Sequence, residues 1–112
     1  MDRFLLGDGD LYVKTLDVSG KLSLLSRKGR VDPPVNKVLL EESILLLLAV
    51  VDLGVSSDAV KRSMYKERVR VSCLKSLAIL DLLSRTGEIG RVLYVTLAND
   101  IDVVIKGLGL NA

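Results

Sequence analysis

Residues 67–97 read ERVRVSCLKSLAILDLLSRTGEIGRVLYVTL, and this stretch carries the strongest structural signals in the chain. A basic entry leads into an apolar run with helical spacing, which predicts a helix. Arg85 in its last turn and Gly87 just beyond are typical of a helix C-terminus. Residues 89–91 then predict a tight reversal, and the alternation over 92–97 predicts a short strand. The stretch therefore predicts a helix followed by one arm of a small hairpin.

The part of the chain before this stretch predicts an amino-terminal hairpin and two helices. Residues 11–16 and 21–25 are β-prone runs joined by a short loop that contains a glycine, which predicts a β-hairpin. Pro33-Pro34 marks a boundary, because tandem prolines interrupt most regular elements. Beyond it, residues 38–53 predict a helix that ends at a glycine, and residues 57–64 predict a second, short helix.

Length and composition limit the kind of protein. A chain of 112 residues with 49% hydrophobic residues is long enough for one core, so we expect a single compact domain. The only cysteine, Cys73, lies in an apolar helical run and is expected to be buried. Residues 44–51 are entirely apolar but too few to cross a membrane, and no signal-peptide pattern is visible, so we expect a cytoplasmic protein. The absence of His, Gln and Trp is compatible with a thermophilic source.

From about residue 38 to 106 the order of elements resembles the winged helix-turn-helix family. Leu80, Leu83, Gly87 and Ile89 match the family's pattern for the end of the recognition helix and the start of the wing, and residues 91–105 resemble a wing strand that passes into a closing helix. The resemblance implies an α+β fold, with a three-helix core and a small wing hairpin over residues 35–112. The amino-terminal β-hairpin, residues 1–34, is expected to pack on the same core.

The same resemblance implies binding of double-stranded DNA, most simply by a transcriptional regulator with its third helix in the major groove. Six bases and one acid lie between residues 61 and 75, although the net charge of the chain is only +2. Arg68, Ser72 and Lys75 fall along one stripe of the third helix. The alternative for these residues is a solvated charged face. The predicted DNA-binding residues are Lys61, Arg62, Lys66, Arg68, Arg70, Ser72, Lys75 and Arg91.

The third helix is also apolar around nearly its whole circumference, so it needs more than one packing surface. This predicts a homodimer, and it supports an alternative function as a protein-interaction module within a larger assembly. An enzyme is not expected, because the chain has no histidine, no serine in a nucleophile-elbow context and no phosphate-binding glycine motif. No cofactor, metal, small-molecule ligand or membrane is expected as a partner.

Overall fold

The computed structural model describes residues 9–27 and 33–109, and this part of the chain forms an antiparallel bundle of four α-helices. Each helix packs against two others, so that the four form a closed ring. The bundle measures 42 × 24 × 21 Å. The helices are α1 (Gly9–Arg27), α2 (Pro33–Val55), α3 (Ala59–Arg85) and α4 (Arg91–Gly107).

Two side-chain contacts give the relative direction of α2 and α3. The Ser72 hydroxyl donates a hydrogen bond to Glu42 Oε2 at 2.8 Å, and Arg62 Nη1 donates to the Leu53 carbonyl oxygen at 2.7 Å. Residue numbers therefore rise along α2 as they fall along α3. The two helices run antiparallel, with Glu42 and Ser72 at the same level along the bundle.

Helices α1 and α4 are antiparallel for the same kind of reason. Lys21 Nζ donates to Asp100 Oδ2 at 2.8 Å, and near the other end of the pair Leu11 Cδ1 would lie 3.2 Å from a Cβ placed on Gly107. Short connections join α2 to α3 and α3 to α4, as is usual for antiparallel neighbours. The topology is therefore up, down, up, down.

One hydrophobic core runs through the bundle, and each helix contributes a stripe of residues spaced by three and four. On α1 the stripe includes Leu11, Thr15, Val18, Leu22 and Leu25, all buried. The stripes of the other helices include Leu39, Leu46, Val50, Leu53, Val69, Cys73, Leu80, Leu83, Leu97, Ile101, Val104 and Leu108. Because α1 shares this core, it is an integral part of the bundle.

The predicted end of the helix at Arg85 is confirmed, and its geometry explains why the sequence signal was clear. Gly87 adopts φ 77°, a left-handed conformation that suits glycine. Its N–H donates to the Ser84 carbonyl, and the Glu88 N–H donates to the Leu83 carbonyl. These two bonds form a Schellman motif, which satisfies carbonyl groups at the end of α3.

The α+β winged helix-turn-helix prediction is wrong, because the described residues form helices and no strands. Residues 11–16 and 21–25, predicted as hairpin strands, both lie in α1. Their β-prone side chains and the glycine-containing loop between them favoured strands, but a three-and-four spacing runs through the whole segment and buries one helical face. Tertiary burial of that face outweighs a local β preference. The remainder of the predicted amino-terminal region, residues 1–8 and 28–32, lies outside the described residues.

The predicted wing is also wrong, because residues 92–97 lie in α4, which begins at Arg91. Leu97, Ile101 and Val104 are spaced by four and three, and all are buried in the core. The alternation over six residues was too short to distinguish a strand from the first turns of this helix. The short helix predicted over residues 57–64 is not a separate element either, since α3 is continuous from Ala59 to Arg85.

None of the helices in the described residues is both long enough and apolar enough to cross a membrane.

The core predicts that truncation of two nearby leucines of α1 lowers the stability by very different amounts. Leu22 is fully buried, whereas Leu24 is 56% exposed. Leu22→Ala should lower the free energy of unfolding by about 2–5 kcal/mol, because it leaves a cavity in the core. Leu24→Ala is the matched control and should cost less than about 1 kcal/mol. Urea denaturation followed by circular dichroism measures both, and equal losses would contradict the predicted burial of this face of α1.

Candidate protein-interaction surface

The residues predicted to contact DNA do not lie on one face of the bundle. Arg62 faces inward, and its Nη1 donates to the Leu53 and Ser56 carbonyl oxygens at 2.7 and 3.0 Å. These carbonyls belong to the last turn of α2 and to the residue just after it, where helical hydrogen bonding runs out. Arg62 therefore stabilises the turn between α2 and α3, a role that the sequence prediction missed.

Ser72 is likewise unavailable to DNA, because its side chain is buried between α2 and α3. Its hydroxyl donates to the carboxylate of Glu42, which is also buried. A buried carboxylate needs hydrogen-bond donors to offset the loss of water. The pair therefore joins the two helices through a buried polar contact.

The remaining bases of α3 divide between two sides of the helix. Arg68 and Arg70 are two residues apart and so point about 160° away from each other. Arg70 Nε donates to Glu67 Oε2 at 2.9 Å, and this contact lowers the pKa of Glu67 and raises that of Arg70. Lys66 lies on the same side as Arg70. Lys61, Arg68 and Lys75 lie on the side near α2, so the bases of α3 do not form one continuous patch.

Arg91 is remote from all of these residues. It begins α4, and the short connection from Arg85 keeps it near the C-terminal end of α3. Lys61 lies near the opposite end of the same helix, about 36 Å away along the axis. The structure therefore brings Arg68 and Lys75 to one side of α3 but separates them from Lys66, Arg70 and Arg91.

Arg68 and Lys75 instead line a cleft of about 460 Å³ on the outside of the bundle, between α2 and α3. The guanidinium of Arg68 lies 5.5 Å from the centre of the Tyr65 ring, a distance typical of a cation–π contact. The other residues that line the cleft are Glu42, Leu45, Leu48, Ala49, Asp52, Glu67, Val71 and Ser72. Apolar atoms make up most of the surface that lines the cleft, although five of the ten lining residues are charged.

Helix α2 carries a second stripe of three-and-four spacing, which points away from the core. Its two central leucines, Leu45 and Leu48, are 54% and 53% exposed. All six members are exposed: Val38, Glu41, Leu45, Leu48, Asp52 and Val55. We call this set the outer stripe of α2. Four of the six are aliphatic, which explains why α2 is apolar on nearly every side.

A matching stripe lies on the neighbouring helix. The outer stripe of α3 consists of Met64, Arg68, Val71, Lys75, Ala78 and Leu82, again spaced by four and three. Val71 is half-buried and the other five are exposed. The two outer stripes flank the cleft and together form the α2/α3 face. This face extends along most of the bundle.

Charge divides between the two outer stripes, and Glu67, the acid of α3 that also lines the cleft, is paired with Arg70. The charged members on α2 are the acids Glu41 and Asp52, whereas those on α3 are the bases Arg68 and Lys75. No ion pair of these four side chains is found within the described residues. The face thus presents one acidic stripe and one basic stripe, each with apolar residues at intervals between the charges.

The length of α3 adds to this exposed surface. Helix α3 has 27 residues and α4 has 17. Since the two helices meet at the short connection after Arg85, the first 10 residues of α3 extend about 15 Å past the end of α4. Val60 and Met64 lie in this extension and are exposed. No part of α4 is long enough to cover them.

The sequence prediction missed Leu45, Leu48, Met64 and Val71, although a signal for them was present. In both helices each outer residue comes directly before a position on the inward side of the helix, so that Leu45 precedes buried Leu46 and Leu48 precedes buried Ala49. Each helix therefore carries two repeats with three-and-four spacing, and the outer repeat is shifted by one residue from the inward one. A run with two repeats is apolar over much of its length, so the outer repeat does not stand out from the inward one in the sequence.

Cys73 is buried as the sequence predicted, and burial raises the pKa of its thiol to about 12. The reactive species of cysteine is the thiolate, which is therefore scarce in the folded protein at neutral pH. Cys73 serves the core as a small hydrophobic side chain.

The buried Ser72–Glu42 contact predicts a specific loss of stability. Ser72→Ala removes the donor and leaves the carboxylate without this hydrogen bond, which should cost about 1–3 kcal/mol. Ser63→Ala, at an exposed site on the same helix, is the control and should change stability by less than about 0.5 kcal/mol. The measurement is urea denaturation at a fixed protein concentration. A loss at Ser63 as large as that at Ser72 would argue against the contact.

The burial of Cys73 predicts that its thiol reacts only when the protein opens. At pH 8 the folded protein should react with Ellman's reagent far more slowly than the urea-unfolded chain, because the unfolded thiol has its ordinary pKa near 9.0. Absorbance at the wavelength of the released thiolate follows the reaction. Labelling of the folded protein at the rate of the unfolded chain would contradict the burial.

No family model matches this chain, and no curated protein and no solved structure shows significant similarity to it.

Proposed function

We propose that this chain is a protein-interaction module whose α2/α3 face binds an amphipathic helical surface. The observation that supports the proposal is the pair of outer stripes, whose apolar members are exposed at regular helical spacing on both sides of a cleft. A contiguous exposed apolar surface with charged residues around it is typical of a protein-interaction site. The absence of catalysis and a cytoplasmic location, both expected from the sequence, remain predictions.

The free energy available at this face comes mainly from its aliphatic side chains. Leu45 and Leu48 are each about half exposed, so their complete burial would contribute on the order of 1 kcal/mol apiece. Val71 and Met64 add to this at the centre and one end of the face. Residues at the centre of an interface contribute most, because neighbouring contacts exclude water from them.

The shape of the face favours a helical partner. The cleft runs between two antiparallel helices, and the residues on both of its edges recur every three and four positions. A helix with an apolar stripe of the same spacing can pack its ridge along such a groove, in the geometry of coiled coils and four-helix bundles. Charged residues on the partner would then meet the acids of α2 and the bases of α3.

Binding of double-stranded DNA stays a prediction, and the geometry supports it less well than it supports a protein partner. Arg62 and Ser72 are engaged inside the bundle, and the other predicted bases face different directions. A fluorescence anisotropy titration of mixed-sequence duplex at low salt tests it directly. Binding that weakens steeply with salt would favour the DNA-binding alternative.

Site-specific photo-cross-linking in cells tests the proposed function. A photoreactive amino acid at Leu45 should form discrete adducts, and peptide mapping should place the adducts on an amphipathic helix. Val103 is the matched control site, because it is 44% exposed on α4 and lies outside the α2/α3 face. Leu48→Asp in the same chain should abolish the adducts at Leu45, because it places a charge at the centre of the face.

Equal labelling from positions 45 and 103 would contradict a specific interaction at this face. Adducts at Leu45 that survive Leu48→Asp would also contradict it, because they would not depend on the apolar surface. Circular dichroism of the purified variants establishes that each remains folded.

A further inference from the structure

We infer that the helical surface bound by the α2/α3 face is the same face of a second copy of this chain. The inference rests on the proposed function and names its partner. Its basis is the charge division on the face, since a surface with one acidic stripe and one basic stripe is complementary to itself when rotated. A two-fold interface requires this kind of self-complementarity.

Two symmetric arrangements of the face are possible, and the charges distinguish between them. If the two-fold axis lies in the plane of the interface and crosses the helices at right angles, α2 packs on α2 of the second copy and α3 packs on α3. With the axis at the centre of the outer stripe of α2, Glu41 would then face Asp52, and the basic stripe of α3 would face itself. Like charges placed opposite each other disfavour this arrangement.

If the two-fold axis is parallel to the helices, α2 of each copy packs antiparallel on α3 of the other. Rotation about this axis does not shift residues along the bundle, so the levels within one copy decide which residues meet. Glu42 and Ser72 are at the same level. Measured along the bundle axis, Glu41 of one copy therefore lies within about 3 Å of the level of Lys75 in the other copy. Leu45 lies within about 3 Å of the level of Val71 in the same way.

This parallel-axis arrangement thus places Glu41 opposite Lys75 and Leu45 opposite Val71, each twice by symmetry. By the same levels Leu48 lies opposite Arg68 and Asp52 lies opposite Met64. Each interface would contain four antiparallel helices, two from each copy, with the outer stripes buried between them. The two stripes have the same three-and-four spacing, as such a second core requires. Neither Glu41 nor Lys75 has an ion-pair partner within the described residues, so both are available across the interface.

The face is large enough for a stable dimer. It extends along most of the 42 Å length of the bundle, and it spans two of the four helices. Specific dimers bury about 1,200–2,000 Å² in total, or roughly 600–1,000 Å² on each partner. Stripes about 26 Å long on a bundle 21 to 24 Å wide provide on the order of 600 Å². The apolar residues also recur along the whole face, whereas an incidental patch would be confined to one part of it.

Sedimentation velocity over a range of concentrations tests whether the chain dimerises through this face. The wild-type chain should sediment as a dimer, and Leu45→Asp should weaken self-association at least tenfold, because it places a charge opposite Val71. Val103→Asp introduces the same charge on α4 and should leave self-association unchanged. A dimer that is equally stable in all three proteins would overturn the inference, because it would form through another surface.

Charge reversal tests the arrangement of the two copies. Glu41→Lys and Lys75→Glu should each weaken the dimer several-fold, because each places like charges opposite one another. The double variant with both changes should recover most of the wild-type affinity, because it restores the pairing with the signs exchanged. Single variants without effect, or a double variant weaker than either single one, would overturn the parallel-axis dimer.

Different results would contradict the inference that the partner is a second copy and the proposal that the face binds a protein. A chain that stays monomeric at every accessible concentration overturns the second copy as partner. If Leu45 then forms adducts with a helix of a different protein, the protein-interaction function stands. If the adducts lie on residues 1–8 of the same chain, the face is covered within the monomer, and both proposals are overturned. If Leu45 forms no adducts beyond those of Val103, both are again overturned.

Discussion

The structure depends on one constraint, which is that each of four helices must bury a stripe of residues spaced by three and four. On α1 this stripe runs from Leu11 to Leu25, and it lies in a segment whose side chains favour β-strands locally. On α4 it runs from Leu97 to Val104, and buried Leu108 follows just after the helix. Because the stripes face a common axis, the helices pack in a ring and α1 closes it against α4. Local β preference is too weak to compete with burial of this extent.

The surface left over from this core has a simple origin. Helices α2 and α3 each carry a second repeat, offset by one residue from the inward one, and a ring of four helices can bury only the inward repeat. Helix α3 also extends past α4, so its amino-terminal turns have α2 beside them but no part of α4. The core therefore determines which apolar residues stay exposed, and these residues make up the face for which we propose a partner.

Sequence reasoning succeeded where a single residue has a specific local role and failed where long-range packing decides. The end of α3 could be predicted because Gly87 is needed for a left-handed turn, whatever the rest of the fold does. The hairpins could not be excluded, because a few alternating residues fit either a strand or a helix. The predicted DNA-binding residues shared a charge, but their directions depend on the fold. Arg62 holds the turn after α2, and Ser72 is buried against Glu42.

The sequence by itself determined that the chain has one core, that Cys73 lies within it, and that a long helix ends before Gly87. These three features follow from composition and local stereochemistry, and none of them requires knowledge of the neighbouring helices. Only the tertiary structure decided which of the two repeats in α2 and α3 turns inward. It also decided that the exposed stripe of α2 carries acids and that of α3 carries bases, because the neighbouring helices determine which side of each helix is buried and which is exposed.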